Sequence, residues 1–334
     1  MRPQLLLLCM ALTLAVPSLS AEAVEKNSKK HISSTSKHKV VSKHKVSSRK
    51  IIRTLRADRK YQPQNVNYNR SVFQDSSDGG SLLQLASSKA LIVNQATGET
   101  LYAKSIDLPT PIASVTKLMT AMVMLDAHLP MNETLAISEA DIDTLKGTGS
   151  RLRLGTELTR GELLQLALMA SENRAASALG RNYPGGLTAF IAAMNAKAIM
   201  LGMTHSHFVD PTGLNSANVS TAQDLVKMVR AAYQYQEIRQ VTTTASYETP
   251  VHGLRNPVHF VNTNILVRNS DWLIGLSKTG FINEAGRCLV MQAEIAGQPL
   301  IIVLLDSYGK YSRIGDAQRI RKWIESSNLP RHLG

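Results

Sequence analysis

Ser114 and Lys117 stand three residues apart at the start of an apolar run, Leu118 to Leu125, that is reached through Pro109-Thr110-Pro111. If the run is helical, hydroxyl and amine share one face of its first turn. A serine hydroxyl is a weak nucleophile at neutral pH and needs a neighbour to take its proton. Lysine can do this once burial or a second cation lowers its pKa. The start of a helix also points backbone N–H groups and the positive end of the dipole at a developing oxyanion. Spelling alone does not single out this pair, because Ser-x-x-Lys recurs at Ser34/Lys37, Ser36/Lys39, Ser42/Lys45 and Ser47/Lys50. Those four lie in polar, repetitive sequence with no apolar helix behind them to fix a geometry. The ordinary alternative for Ser114 is an N-cap followed by an exposed lysine.

Two later sequences supply what Ser114 and Lys117 lack. Ser171-Glu172-Asn173 closes an apolar run from Leu163 to Ala170, where a sharp stop presents a hydroxyl and an amide at a cleft. Ser-x-Asn also occurs at Ser216/Asn218 and Ser326/Asn328, but only Ser171 follows a buried helix. Lys278-Thr279-Gly280 occurs once, at the end of a strand predicted from Trp272 to Ser277. A cation beside a hydroxyl can hold a substrate carboxylate, and glycine lets a substrate backbone come close. Taken singly, Asn173 reads as a helix cap and Lys278 as a solvated strand end. Together, in this order and these settings, the three leave coincidence a minor prospect.

The elements that must position them follow from pattern. Lys89 to Asn94 and Glu99 to Ala103, joined by Ala96-Thr97-Gly98, read as a β-hairpin. Pro130 to Leu158 is loop-like, and a capping box at Thr159 and Glu162 then starts the helix through Ala170. Helices are predicted from Leu187 to Leu201 and from Ser220 to Tyr233. A second hairpin, Cys288 to Ile295 and Leu300 to Leu305, turns at Ala296-Gly297-Gln298-Pro299, and a last helix runs from Asp316 to Ser326. The expected fold class is α/β, of the α+β kind: an antiparallel sheet flanked by helices, with a helical insertion at about 126–240.

Composition bounds the rest. The 334 residues are 43% hydrophobic with a net charge of +13. Residues 22–80 carry +9 of that charge, with 14 Lys or Arg against 5 Asp or Glu, whereas 81–334 carry +3. Residues 1–23 read as a secretory signal, so nucleic acid is not the expected partner of the basic stretch at 24–80. That stretch is too polar to offset chain entropy and is expected to be a disordered tether, with loose attraction to anionic lipid or acidic wall as its functional reading. Residues 81–334 form the expected catalytic domain. Cys288, in an apolar run, reads as a core residue, and no metal-ligand spacing or phosphate-cradling loop occurs, so no cofactor is expected.

Ser-x-x-Lys, Ser-x-Asn and Lys-Thr-Gly in this order are the signature of the penicillin-recognising serine enzymes. Pro111 to Thr120, Ser171 to Ala176, Phe208-Val209-Asp210-Pro211-Thr212-Gly213-Leu214, Asn262-Thr263-Asn264 and Lys278 to Phe281 resemble the D-alanyl-D-alanine endopeptidases among the low-molecular-mass penicillin-binding proteins. The resemblance covers roughly residues 85–326 and leaves the basic stretch unexplained. It implies a DD-peptidase/β-lactamase-like fold and a periplasmic serine peptidase acting on peptidoglycan stem peptides, inhibited by β-lactams, without cofactor. Carried onto this chain, Ser114 is the acyl-ester nucleophile and Lys117 its proton acceptor. Ser171 relays a proton to the leaving amine, and Asn173 holds Lys117 and the substrate amide. Lys278, Thr279 and Gly280 bind the peptide or its carboxylate, and the N–H groups of Ser114 and Phe281 form the oxyanion hole. The rivals are a D-Ala-D-Ala carboxypeptidase, a β-lactamase and a wall-binding protein without chemistry. Class A lactamases use a Glu-x-x-Leu-Asn segment absent between Asn173 and Lys278. Carboxypeptidase members often add a C-terminal β-rich domain and an amphipathic anchor, neither of which is expected here.

Overall fold

The computed structural model describes residues 83–327; the expected signal at 1–23 and basic tether at 24–80 lie outside them. In chain order, β1 (Ser87–Asn94) and β2 (Thr100–Lys104) form the first hairpin, and β3 is the pair Thr110–Pro111. A 3₁₀ turn over Ala113–Thr116 leads into α1 (Lys117–Asp126), followed by β4 (Thr134–Ala136) and β5 (Glu157–Thr159). The helices α2 (Arg160–Met169), α3 (Asn173–Arg181) and α4 (Gly186–Met200) come next, then β6 (Val219–Ser220), α5 (Ala222–Ala232) and α6 (Gln236–Thr242). The chain continues through β7 (Ser246–Thr249), β8 (Val258–Val261), β9 (Leu273–Ile282), β10 (Gly286–Ile295), β11 (Gln298–Ser307) and α7 (Ser312–Ser326).

Five strands make the main sheet, in the order β2-β1-β11-β10-β9, every pairing antiparallel. Its central strands read as continuous apolar runs because both faces are covered and period-two alternation sends alternate residues to different cores. Leu91, Val93, Val290, Ile301 and Val303 join the core built with α1, α2 and α5. Ala90, Ile92, Met291, Ile302 and Leu304 pack instead with Ile314, Ala317, Ile320 and Ile324 of α7. The antiparallel sheet with a helical insertion is therefore present as expected.

Local signals explain several element ends. Asn94 Oδ1 accepts from the N–H groups of Ala96 (3.0 Å) and Thr97 (3.1 Å), which closes the first hairpin. Thr159 Oγ1 accepts from the Glu162 N–H at 3.2 Å while Glu162 returns a bond to the Thr159 N–H at 2.8 Å, the reciprocal cap that starts α2. Ala296 and Gly297 both adopt positive φ (+52° and +76°), so the second hairpin turns on two residues, and Gln298-Pro299 belong to β11 rather than to the turn.

Three further expectations need correction. The stretch from Pro130 to Leu158 holds the short β4–β5 pairing and is not wholly loop. Asn173 does not merely end a helix: it begins α3, whose buried residues are mostly alanines that give little apolar signal. Lys278-Thr279-Gly280 lies inside β9, which continues to Ile282, rather than at its end.

Candidate active site

The turn that carries Ser114 is shaped by backbone geometry. Ala113 has φ +48°, and Gly213, at φ +80°, lies so close that a Cβ there would stand 1.9 Å from the Ala113 carbonyl oxygen. Only glycine fits that approach. Ser114 thus belongs to a 3₁₀ turn ahead of α1, not to the first α-helical turn, and in a 3₁₀ turn residues i and i+3 eclipse. The consequence is direct contact: Lys117 Nζ donates to Ser114 Oγ at 2.9 Å.

Lys117 is 1% exposed. Besides Ser114, its ammonium donates to Asn173 Oδ1 at 2.8 Å and to the Thr212 carbonyl at 2.7 Å. Burial pushes its pKa down to about 7, against the opposing pull of the Asp210 and Glu172 carboxylates. A lysine in this state exchanges its proton near neutrality, as a base for Ser114 must. Asn173 is held from the other end by donating from Nδ2 to Thr148 Oγ1 at 3.0 Å, which orients its oxygen toward Lys117.

Ser171 sits in the three-residue break between α2 and α3, in the left-handed region at φ +61°. Such strain in a non-glycine residue is tolerated where the surroundings enforce it. Its Oγ accepts from Lys278 Nζ at 2.9 Å, and the same ammonium donates to the Thr279 carbonyl at 3.0 Å. Lys278 is buried, not solvated; burial drives its pKa well below the ordinary lysine value, and the positive charges of Lys117 and Arg313 push it the same way. Thr279 Oγ1 donates to Thr263 Oγ1 at 2.7 Å. At Gly280 a Cβ would come within 2.9 Å of the Ile112 carbonyl oxygen and 3.1 Å of the Ser114 nitrogen, so glycine lets β9 close on the serine turn. Phe281, the next residue, is half exposed, with the Arg287 guanidinium 4.4 Å from its ring centre.

The structure therefore brings Ser114, Lys117, Ser171, Asn173, Lys278, Thr279 and Gly280 together where β9 meets the Ser114 turn and the break between α2 and α3, and Phe281 follows on the same strand. Sequence reasoning gave no role to the Thr212 carbonyl, Thr148, Thr263 or the loop that carries Thr212. In that loop Asp210 accepts from the N–H groups of Thr212 (2.6 Å), Gly213 (2.7 Å) and Asn215 (2.9 Å). The available signal was Asp-Pro-Thr-Gly, a turn-forming string. Cys288 is buried, hydrogen bonded to the Ala285 carbonyl, and its thiol is pushed up to about 11 by burial, as a core residue would be.

Comparison with known proteins meets this geometry. The sequence model described as D-alanyl-D-alanine carboxypeptidase matches residues 73–309. The chain belongs to that family. It is 48% identical to the D-alanyl-D-alanine endopeptidase of Pseudomonas aeruginosa over 246 residues, 74% of this chain and 79% of that protein. The D-alanyl-D-alanine endopeptidase of Escherichia coli is likewise 48% identical over 250 residues, with the same shares covered. Among solved structures, a Streptomyces DD-transpeptidase superposes with a TM-score of 0.66 at 30% identity, over 72% of this chain and 97% of that one. A D-alanyl-D-alanine carboxypeptidase from Mycobacterium tuberculosis does so with a TM-score of 0.66 at 27% identity, over 75% and 96%. The protein is thus a hydrolase of the serine-type D-alanyl-D-alanine carboxypeptidase/endopeptidase family, whose function is on peptidoglycan and which is associated with β-lactams.

Proposed function

We propose that this peptidase is a periplasmic DD-endopeptidase that cuts D-Ala to meso-diaminopimelate crosslinks through an acyl-enzyme at Ser114. The observation that carries the reading is the Lys117 to Ser114 contact at 2.9 Å, made by a buried amine that titrates at about 7. Neutral Lys117 takes the Ser114 proton as Oγ attacks the D-Ala carbonyl carbon. The oxyanion forms against the N–H groups of Ser114 and Phe281. As the tetrahedral adduct collapses, the C–N bond breaks and Ser171 relays the proton held by Lys117 to the departing amine, which leaves Ser171 protonated and Lys117 neutral again. Lys278 and Thr279 hold the carboxylate beside the scissile bond, and Asn173 holds Lys117 and the peptide amide. Water, deprotonated by Lys117, then attacks the ester, and the proton returns to Ser114. A β-lactam acylates the same oxygen.

Carboxypeptidase action on stem pentapeptides uses the same groups. The 48% identity to two proteins named endopeptidases, against 33% to a named carboxypeptidase of Streptomyces, favours the crosslink. The basic residues 24–80 add loose, salt-sensitive attachment to membrane or wall and no chemistry.

The experiment is digestion of purified muropeptides beside fluorescent penicillin labelling. Crosslinked dimers should become monomers faster than pentapeptide loses D-Ala, and Ser114→Ala should abolish both labelling and digestion while the far-ultraviolet dichroism is kept. Dominant pentapeptide trimming with surviving dimers would make the enzyme a carboxypeptidase with the same catalytic residues. Full labelling of Ser114→Ala would remove Ser114 from the mechanism.

A further inference from the structure

The loop between β4 and β5 is tied to both walls of the cleft. Asp143 builds it: its carboxylate accepts from the N–H groups of Leu145 (2.9 Å), Lys146 (3.0 Å) and Thr148 (2.8 Å) and from the Thr148 hydroxyl (2.7 Å). Thr148 touches Asn173 on the helical wall, as described above. Two residues earlier, the Lys146 ammonium forms an ion pair with the Glu284 carboxylate in the turn between β9 and β10. The β4–β5 loop thus supplies one charge and the β9–β10 turn the other, and both side chains are open to solvent, 29% and 44% exposed.

The position of this pair follows from the strand. Glu284 lies in the turn two residues past the end of β9 at Ile282, so along the chain it follows Phe281 on the side away from Lys278. Lys278 and Ser171 serve the leaving-group side, so the acyl side of a bound peptide runs the other way, past Phe281 toward Glu284. In a stem peptide the residue before the attacked D-alanine is diaminopimelate, whose long side chain ends in both an ammonium and a carboxylate. An exposed ion pair holds little net free energy, so its two members exchange readily for two substrate charges of opposite sign. Phe281, half exposed beside the same path, offers apolar surface for the methylenes in between.

We propose that Lys146 and Glu284 form a subsite for the zwitterionic end of this diaminopimelate, Lys146 taking the carboxylate and Glu284 the ammonium. The inference rests on the direction of substrate binding given under the proposed function. It makes the pair a specificity device and not merely a clasp on the loop.

Two soluble crosslinked dimers that differ only in the third residue of the donor stem, diaminopimelate or lysine, test it with the full-length protein. Lysine keeps the ammonium and lacks the carboxylate. The wild type should prefer the diaminopimelate dimer in kcat/KM, and Lys146→Met should lower that preference about three- to tenfold, through KM. Lys146→Arg should restore it, and Glu284→Gln should weaken both dimers together. An unchanged preference in Lys146→Met, or an equal loss on both dimers, would overturn the subsite and leave the pair a loop clasp. Should the wild type trim pentapeptides but cut neither dimer, the endopeptidase reading fails on its own, and the same ratio taken on the two pentapeptides decides the subsite.

Discussion

Lys117 and Lys278 are each 1% exposed and face one cleft, yet the protein treats them differently. Lys117 has three oxygen acceptors and two carboxylates, Asp210 and Glu172, within electrostatic reach, and it settles at about 7. Lys278 has Ser171 Oγ and the Thr279 carbonyl, and the charges that act on it are the cations Lys117 and Arg313. Burial costs both of them, but only Lys117 has anions nearby to offset it. The difference separates a proton exchanger from a site that wants an anion. A substrate carboxylate beside Lys278 would supply the missing negative charge.

The sharpest way to break this comparison is to deny Lys117 its neutral state. Lys117→Arg keeps the cation and removes the base, because guanidinium stays protonated. Penicillin acylation should fall by about 10²- to 10⁴-fold, the usual weight of a general base. Stopped-flow acylation with a chromogenic cephalosporin measures it, and retention of wild-type rates would take proton transfer away from Lys117.

A pH series tests the same lysine without mutation. Acylation should fall as pH drops through about 7, where Lys117 gains its proton. Stability carries the matching sign. The folded state binds fewer protons than the unfolded chain between about 7 and the ordinary value of 10.5, so unfolding free energy rises with pH across that window. The penalty is full below it and gone above it, and Lys278 adds the same sign. Thermal melts from pH 6 to 10 should show the rise in the wild type and a flatter line in Lys117→Met.

Lys278→Gln probes the other member. It removes the cation but keeps a donor for Ser171, so a ligand carboxylate loses a charged partner worth about 1.5–3 kcal/mol, or roughly ten- to a hundredfold in kcat/KM. The loss should sit in KM for peptide substrates and leave the pH midpoint of acylation near that of the wild type. A displaced midpoint would mean that the two lysines titrate as one unit.

Much of this site was legible in order and spelling, because Ser114, Lys117, Ser171, Asn173 and Lys278 are side chains and side chains are what a sequence prints. The two hairpins and the capped start of α2 were legible for the same reason, through turn residues and a reciprocal cap. What escaped was carried by backbone or by small residues. The Thr212 carbonyl that holds Lys117 has no side-chain signature, and its position depends on Gly213 accepting contact with Ala113. The helix α3 hides behind Ala175, Ala176 and Ala178, whose burial gives a weak periodic signal. β4 and β5, three residues each, are too short for alternation to show. Lys278 reads as a solvated strand end because nothing local foretells that β9 packs against the Ser114 turn and that Ser171 meets its ammonium.

The smallest expected effect belongs to Thr148, outside all three motifs. Its hydroxyl accepts from Asn173 Nδ2 and donates to Asp143, so it fixes which end of the Asn173 amide faces Lys117. Thr148→Val keeps the shape and removes both bonds, a loss of about 1 kcal/mol or roughly fivefold in acylation. A general loosening of the loop would lower the rate at every pH alike. Loss of amide orientation does more: with Asn173 Oδ1 no longer held as an acceptor, the charged form of Lys117 loses a hydrogen bond, and its pKa falls further. The acylation midpoint should therefore move to lower pH while the plateau rate drops, so the variant is hurt less at pH 6 than at pH 8. The hydrogen bonds of Lys278 go to Ser171 and the Thr279 carbonyl rather than to Asn173, and Lys278→Gln should leave that displacement in place when combined with Thr148→Val. A uniform loss across pH would place Thr148 in the loop's stability alone and detach it from the Lys117 half of the site.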